Sequence, residues 1–211
     1  MVSMQCPLCH SALTTMIDPE YFDCKGCRAL VKHPDLLPTP DEELHRYQLH
    51  NNDVNDAGYQ QFTAPIWQYV LTHFSQNDQG LDFGSGTGPV ISKMLLDKGY
   101  NIKQYDPYFT PNETLLDLTY QYIACCEVVE HFFHPREEFT KLDQMLLSGG
   151  KFVCMTLLYN DSIDFKNWGY RKDETHVFIY RKETLQYIAQ LFNYKLTELT
   201  NRFFVFEKSE E

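Results

Sequence analysis

For most of its length the sequence predicts an α/β fold, a mainly parallel sheet with helices on both faces, and three observations predict it. From residue 80 onward, short apolar runs alternate with amphipathic segments, the pattern of repeated strand–helix units. The first of these runs ends in a glycine-rich turn that opens a helix. No internal repeat or low-complexity tract competes with that reading. Ahead of it, two close cysteine pairs mark a small unit of another kind.

The elements follow from local signals. Residues 34–40, with three prolines, read as a stiff linker. Asp41-Glu42-Glu43-Leu44 resembles a helix start with acidic first-turn residues, and Asn51–Asp56 is a polar loop. Phe62, Ile66, Tyr69, Val70 and Phe74 recur at helical spacing. Leu81–Phe83 is a strand, Pro89–Lys98 a helix with proline in its first turn, and Ile102–Tyr105 a strand ending at Asp106. Tyr122–Cys126 reads as a buried strand. Arg136–Leu147 reads as a helix stopped by Ser148-Gly149-Gly150, and Phe152–Leu158 as the next strand. Lys182–Phe192 is a helix, and Lys195–Thr200 with Phe203–Phe206 a closing hairpin. Fifteen residues between Asp106 and Tyr122 are too few for a full crossover, which takes a dozen or more residues each way, so the third-strand region is shortened.

Cys6-Pro7-Leu8-Cys9 and Cys24-Lys25-Gly26-Cys27 are fourteen residues apart. Each two-residue gap lets one tight turn aim two sulfurs at one point, and two such turns supply the tetrahedral thiolate set zinc favours. The competing reading is two disulfides or a redox pair, which a reducing compartment disfavours. His10 or His33 could stand in for one ligand. A segment this short has little core of its own, so the metal would supply much of its folding energy. Cys125, Cys126 and Cys154 sit in apolar runs and read as core thiols, with Cys126 also assigned to the ligand site at the end of its strand.

Of the 211 residues, 43% are hydrophobic, enough for a real core, and no run of about 18 apolar residues suggests a membrane span. The N-terminus lacks the pattern of a signal peptide, so a cytoplasmic location is expected. A net charge of −11 argues against broad nucleic-acid affinity; Lys166, Arg171-Lys172 and Arg181-Lys182 are the best candidates for a local basic patch.

Gly84, Gly86 and Gly88 keep the backbone open for close ligand approach, and the helix that follows turns its N–H groups toward the ligand. The spacing is GxGxG, with Asp82 ahead of it, and no Gly-Lys-Ser/Thr follows. Asp106, at the end of the next strand, can accept two ribose hydroxyls or can simply be a turn residue before Pro107. With Leu81-Asp82-Phe83-Gly84-Ser85-Gly86-Thr87-Gly88, Tyr105-Asp106-Pro107, Glu127-Val128-Val129-Glu130-His131 and Leu147–Lys151, residues 80–207 resemble the class I S-adenosylmethionine-dependent methyltransferases. The resemblance implies a Rossmann-like methyltransferase sheet over residues 79–211, cofactor-capping helices and linker over 36–78, and a zinc-ribbon-like segment over 1–35. It assigns Asp82, Gly84, Ser85, Gly86, Gly88, Asp106, Pro107 and Cys126 to S-adenosylmethionine, with Asp117 as a candidate for the adenine. Tyr47, His50 and Tyr59 are candidates on the capping helices, against ordinary packing.

Glu127, Glu130 and His131 follow a strand end at offsets that would share one helix face, and His176 lies in Asp173-Glu174-Thr175-His176. Two carboxylates and imidazoles can hold a divalent cation or act as acid and base. The set looks like that of metal-assisted small-RNA 2′-O-methyltransferases and ubiquinone-pathway O-methyltransferases, although Glu-His at this point also occurs in relatives without metal. His131, His176 and Glu130 are therefore the candidate catalytic residues, and Glu127, Glu130, His131 and His176 the candidate ligands of a second metal. Trp168 and Tyr170 are expected to stack on the acceptor and Asp173 to orient it, with Trp168 as a packing anchor the alternative. The expected partner is a small molecule. A zinc ribbon before this domain also resembles certain ribosomal-RNA guanine methyltransferases, which leaves an RNA acceptor as an alternative, beside a non-catalytic binding module.

Overall fold

Three short strands open the chain, β1 (Met16–Asp18), β2 (Tyr21–Asp23) and β3 (Leu30–Lys32), in a computed structural model that describes residues 4–49 and 52–210. Helix α1 (Pro40–Gln48) starts where the sequence signals it. Thr39 caps it reciprocally with Glu42, and Pro40 needs no N–H in the first turn. Asp56 caps α2 (Ala57–His73) by accepting from the Tyr59 N–H at 2.6 Å. Then come β4 (Gln79–Phe83), α3 (Val90–Leu96), β5 (Asn101–Tyr105), β6 (Tyr120–Cys126), α4 (Pro135–Met145) and β7 (Leu146–Met155). The chain closes with β8 (Phe178–Ile179), α5 (Lys182–Leu191), β9 (Tyr194–Leu199) and β10 (Phe203–Lys208).

The main sheet has the order β5-β4-β6-β7-β10-β9. Its β5, β4, β6 and β7 strands pair in parallel, and β10 turns antiparallel against β7 and β9. One face carries α2 and α3, where Ile66, Val70, Val90 and Leu95 bury Tyr122, Ala124 and Val153. The other carries α4 and α5, where Phe139, Leu142, Leu185 and Ile188 cover Ile123, Cys125, Phe152, Cys154, Phe204 and Phe206. Burial on both faces explains why Tyr122–Cys126 of β6 reads as a continuous buried run. Among the described residues β5 and β9 are the sheet's edges. The shortened passage after β5 holds only a 3-10 turn, Glu113–Asp117, where a third strand was expected to be curtailed.

Two details differ from the sequence reading. Ser148-Gly149-Gly150 does not stop the helix from outside the sheet: α4 ends at Met145 and β7 begins at Leu146. The glycines instead absorb a register shift against Tyr120–Tyr122, and Gly149 sits at φ +71°. The cysteine-bearing segment also joins the main domain. Its β3 pairs with β8 of the main domain, Leu30 opposite Ile179 and Val31 opposite Phe178, and its cysteines share one core with Phe139 and Phe178.

The packing of β4 against β6 gives a stability test. A Cβ on buried Gly80 would lie 2.1 Å from the Tyr122 ring, and Tyr122 is fully enclosed. Gly80→Ala is expected to cost roughly 1–3 kcal/mol in urea denaturation; undiminished stability would contradict this packing.

Candidate functional site

A cavity of about 440 Å³ opens at the carboxyl ends of β4, β5 and β6. Gly84, Gly86, Asp106 and Pro107 line one side, and Glu127, Val128 and His131 the other. The glycine loop is pinned to the end of β5. Gly84 and Ser85 donate their N–H groups to the Tyr105 carbonyl at 2.8 and 3.1 Å, and Gly86 donates to Asp106 Oδ2 at 2.9 Å. Gly84 stands at φ +77° with Val128 where a Cβ would be, so only glycine fits there. A Cβ on Gly86 would meet nothing within 4 Å, because that backbone faces the cavity. Asp106 Oδ1 accepts from the Tyr108 and Phe109 N–H groups at 2.9 and 3.0 Å. Asp106 is thus held by the turn and also lines the cavity.

Other residues assigned to the ligand act from behind. Asp82 is fully enclosed and accepts from Ser92 Oγ at 2.7 Å and Ser92 N–H at 3.3 Å, so it fixes the start of α3. Ser85 Oγ meets Thr110 Oγ1 at 3.1 Å, and Gly88 lies under the Asn52 carbonyl, where a Cβ would come within 1.9 Å. Cys126 does not line the cavity. Strand alternation turns it to the face shared by Tyr122 and Ala124, toward α2. Asp117 is exposed and off the cavity wall, since the shortened passage carries it outward.

The far wall is built after β6. Glu127 leaves the strand at φ +52°, and Val129–His131 form a single 3-10 turn rather than a helix face. The three side chains therefore do not share a helix face, although Glu127 and His131 both line the cavity. His131 reaches the cavity, while Glu130 is wholly buried behind it. The His131 Nδ1 lies 2.8 Å from the Thr175 carbonyl, and His176 Nδ1 lies 2.7 Å from the Tyr170 carbonyl. Each Nδ1 thus carries the proton and each Nε2 the lone pair. Burial depresses both imidazoles, His176 to about 3, so both are neutral at pH 7. Burial also raises the Glu130 and Glu127 carboxyls. The Tyr170 hydroxyl donates to Glu130 Oε1, while Glu130 Oε2 and Glu127 Oε1 have no hydrogen-bond partner. Ligand atoms of Glu130, His131 and His176 lie within 4.8 Å of one another, and Glu127 is outside that group.

Helix α1 roofs the cavity with Glu43 and Tyr47. Tyr47 and Tyr108 donate to the two Glu43 oxygens at 2.9 and 3.2 Å, and the Tyr47 ring stands edge-on to His131 with centroids 5.3 Å apart. Glu43 and Tyr108 are cavity residues the sequence reading passed over. The signal for Glu43 was its i, i+4 offset from Tyr47, outweighed by its fit as an ordinary first-turn acid. Tyr59 packs on Phe62 away from the cavity, and His50 lies outside the described residues.

A family model described as a methyltransferase domain matches residues 56–199. The chain belongs to this methyltransferase family. Its fold is similar to a Burkholderia thailandensis 1,6-didemethyltoxoflavin-N1-methyltransferase at 11% identity and TM-score 0.56, over 94% of this chain and 100% of that one. It is similar to the PH0226 protein of Pyrococcus horikoshii OT3 at 14% identity and TM-score 0.52, over 78% and 99% of the two chains. It is also similar to the pyocyanin biosynthetic protein PhzM at 10% identity and TM-score 0.53, over 79% of this chain and 62% of that one. No curated protein matches the sequence.

The loop of this methyltransferase that carries the expected acceptor contacts packs against its own domain. Trp168, Tyr170 and Asp173 do not line the cavity. Trp168 packs among Tyr159, Phe165 and Tyr170, which is the anchoring alternative. Tyr170 spends its hydroxyl on Glu130 and Thr156. Asp173 accepts from Arg46 of α1 at 2.6 Å and from Thr175, and these bonds hold its carboxyl well below the usual range against the cost of burial.

At the N-terminus, the sulfurs of Cys6 and Cys27, Cys9 and Cys24, and Cys24 and Cys27 stand 3.6, 3.4 and 3.6 Å apart. Tetrahedral zinc–thiolate bonds of about 2.3 Å imply edges of about 3.8 Å, whereas a disulfide would need about 2.0 Å. The four sulfurs fit a metal. The two turns are alike: His10 N–H returns to the Cys6 carbonyl and Arg28 N–H to the Cys24 carbonyl, both from left-handed backbone. Neither His10 nor His33 joins the group, and His33 stacks on Phe22 instead.

Asp82 gives the methyltransferase a testable pH dependence. Burial, opposed by the Ser92 bonds, lifts its carboxyl from 3.8 to about 6. Between those values the folded protein keeps a proton that the unfolded chain has lost, so stability falls as pH rises from about 4 to about 6, by on the order of 1–3 kcal/mol. Asp82→Asn should shrink that fall in urea denaturation at pH 4 and pH 7; an identical fall in both proteins would refute the assignment.

Proposed function

We propose that this methyltransferase moves the methyl group of S-adenosylmethionine to a hydroxyl or amine of a small neutral or cationic molecule. The observation that carries the reading is His131, a neutral imidazole with its Nδ1 engaged, on the wall opposite Gly84, Gly86 and Asp106. S-adenosylmethionine supplies an electrophilic methyl on a sulfonium, so transfer is an in-line displacement in which the protein mainly aligns donor and acceptor. The glycine loop and Asp106 hold the donor. His131 Nε2 takes the proton that the acceptor oxygen or nitrogen loses as its bond to carbon forms and the carbon–sulfur pair returns to sulfur. Tyr47 and Glu43 close the cavity above. In support, the similar Burkholderia enzyme is described with 1,6-didemethyltoxoflavin and S-adenosylhomocysteine bound.

The charge distribution favours a small acceptor over RNA. Arg171 is committed to Asp18 and Glu20 and Arg181 to Asp23, so both arginines of the candidate basic patch are internally paired, and Arg46 pairs with Asp173. A cavity-lining lysine, Lys141, pairs with Glu138. A second reading of the far wall has its own observation. The unpartnered Glu130 Oε2, with His131 and His176, suits a divalent cation whose histidines are oriented through their Nδ1 atoms. In the N-terminal unit, the four cysteine sulfurs are the zinc ligands.

Calorimetry with S-adenosylhomocysteine tests the donor half: Asp106→Ala should weaken binding roughly tenfold or more. His131→Ala should leave that affinity nearly intact while slowing label transfer from S-adenosylmethionine to a small-molecule extract by roughly 10²–10⁴. Absence of binding by the unaltered protein, or full transfer by the His131 variant, would overturn the proposal. For the divalent cation, chelator that leaves zinc in place should abolish transfer, and magnesium or manganese should restore it. Unchanged transfer in chelator rules the cation out.

A further inference from the structure

The segment that supplies the back of the acceptor wall, residues 170–177, is held on its outer side almost entirely by the cysteine-bearing unit. Val177 is bonded in both directions: its carbonyl accepts from Lys32 N–H at 2.9 Å and its N–H donates to the Glu130 carbonyl at 2.9 Å. Beside it, the fully enclosed Tyr21 donates its hydroxyl to the His176 carbonyl at 2.6 Å, and Lys32 Nζ donates to the Glu174 carbonyl at 2.8 Å. Arg171 reaches back to Asp18 Oδ2 with two nitrogens at 2.9 and 2.7 Å and to Glu20 at 2.8 Å. Just past the segment, enclosed Arg181 ties to Asp23 at 2.8 Å and to the Arg28 carbonyl at 3.0 Å, both flanking the second cysteine turn.

On its inner side the same segment carries the acceptor wall. The Thr175 carbonyl sets the His131 tautomer, the Tyr170 carbonyl sets that of His176, the Tyr170 hydroxyl holds Glu130, and Asp173 latches Arg46 of the roof helix. These are backbone carbonyls and short bonds. A shift of the segment by an ångström would turn or release the imidazoles while leaving the glycine loop, which is pinned to β5, where it is.

We propose that the four-cysteine unit is a positioning element for the acceptor half of the site: the metal held by Cys6, Cys9, Cys24 and Cys27 keeps β2 and β3 in the shape that fixes residues 170–177, and thereby sets where His131, His176 and Glu130 stand. The inference rests on His131 belonging to the acceptor half. The unit needs no contact with the acceptor to govern transfer. Its loss affects the acceptor half and spares the donor half.

The experiment follows amide hydrogen exchange and imidazole nitrogen resonances in the full-length, zinc-loaded protein, beside a variant carrying Tyr21→Phe and Lys32→Met and beside zinc-stripped protein. The double variant keeps all four cysteines. It should retain its zinc, and exchange in residues 170–177 should quicken by roughly five- to tenfold while residues 79–88 stay protected. The His131 and His176 signals should also move. Stripping zinc should enlarge the same local effect. Exchange in 170–177 and imidazole signals matching those of the unaltered protein in the double variant would overturn the proposal, and so would equal loosening of residues 79–88. If stripping unfolds the whole chain, the double variant alone decides. None of these readouts requires methyl transfer, so a failure to bind S-adenosylhomocysteine would refute the functional reading separately.

Discussion

Val177 ties the cysteine-bearing unit to the main domain through two backbone bonds, one to Lys32 of β3 and one to Glu130 in the turn that follows β6. Much of the site's geometry depends on that junction. It places β8 against β3, brings Tyr180 to the Val129 carbonyl, and lets the cysteine turns and the main domain bury a single continuous core. A segment of some thirty residues could not bury enough apolar surface alone. Here it shares the core of its neighbour and bonds to the neighbour's loop.

The proposed site has two halves with different physics. The donor half is a backbone cradle. Its carboxylates do separate work, Asp82 anchoring a helix within the core and Asp106 accepting three N–H groups at the cavity's edge. The acceptor half is made of side chains taken out of water. There the carboxyls of Glu127 and Glu130 are pushed up and the imidazoles of His131 and His176 down, so acids and bases alike tend to the neutral form. A neutral imidazole with an oriented lone pair suits proton removal from an acceptor, and the positive charge of the sulfonium would then end on that imidazole.

Much of this was legible in the sequence because it rests on local rules. The GxGxG turn, the strand ends at Phe83 and Tyr105, the shortened passage after Asp106 and the paired cysteine turns all come from spacing and residue type within short windows. Long-range packing hid the rest. The left-handed backbone at Glu127 broke the helix face that the Glu130 and His131 offsets implied. Strand alternation turns Cys126 to the face toward α2, and the aromatic loop at Trp168–Tyr170 packs onto Phe165 and Glu130. Glu43 was invisible as a site residue because an acid in a first helical turn needs no further explanation.

A crystal structure with S-adenosylhomocysteine bound tests the central claim most directly. The account predicts the ligand in the cavity beneath Tyr47, with its ribose hydroxyls on Asp106, its amino-acid end along Gly84–Gly86 and its sulfur turned toward His131. A ligand seated elsewhere, or one whose sulfur faces away from His131 with Asp106 uncontacted, would contradict it.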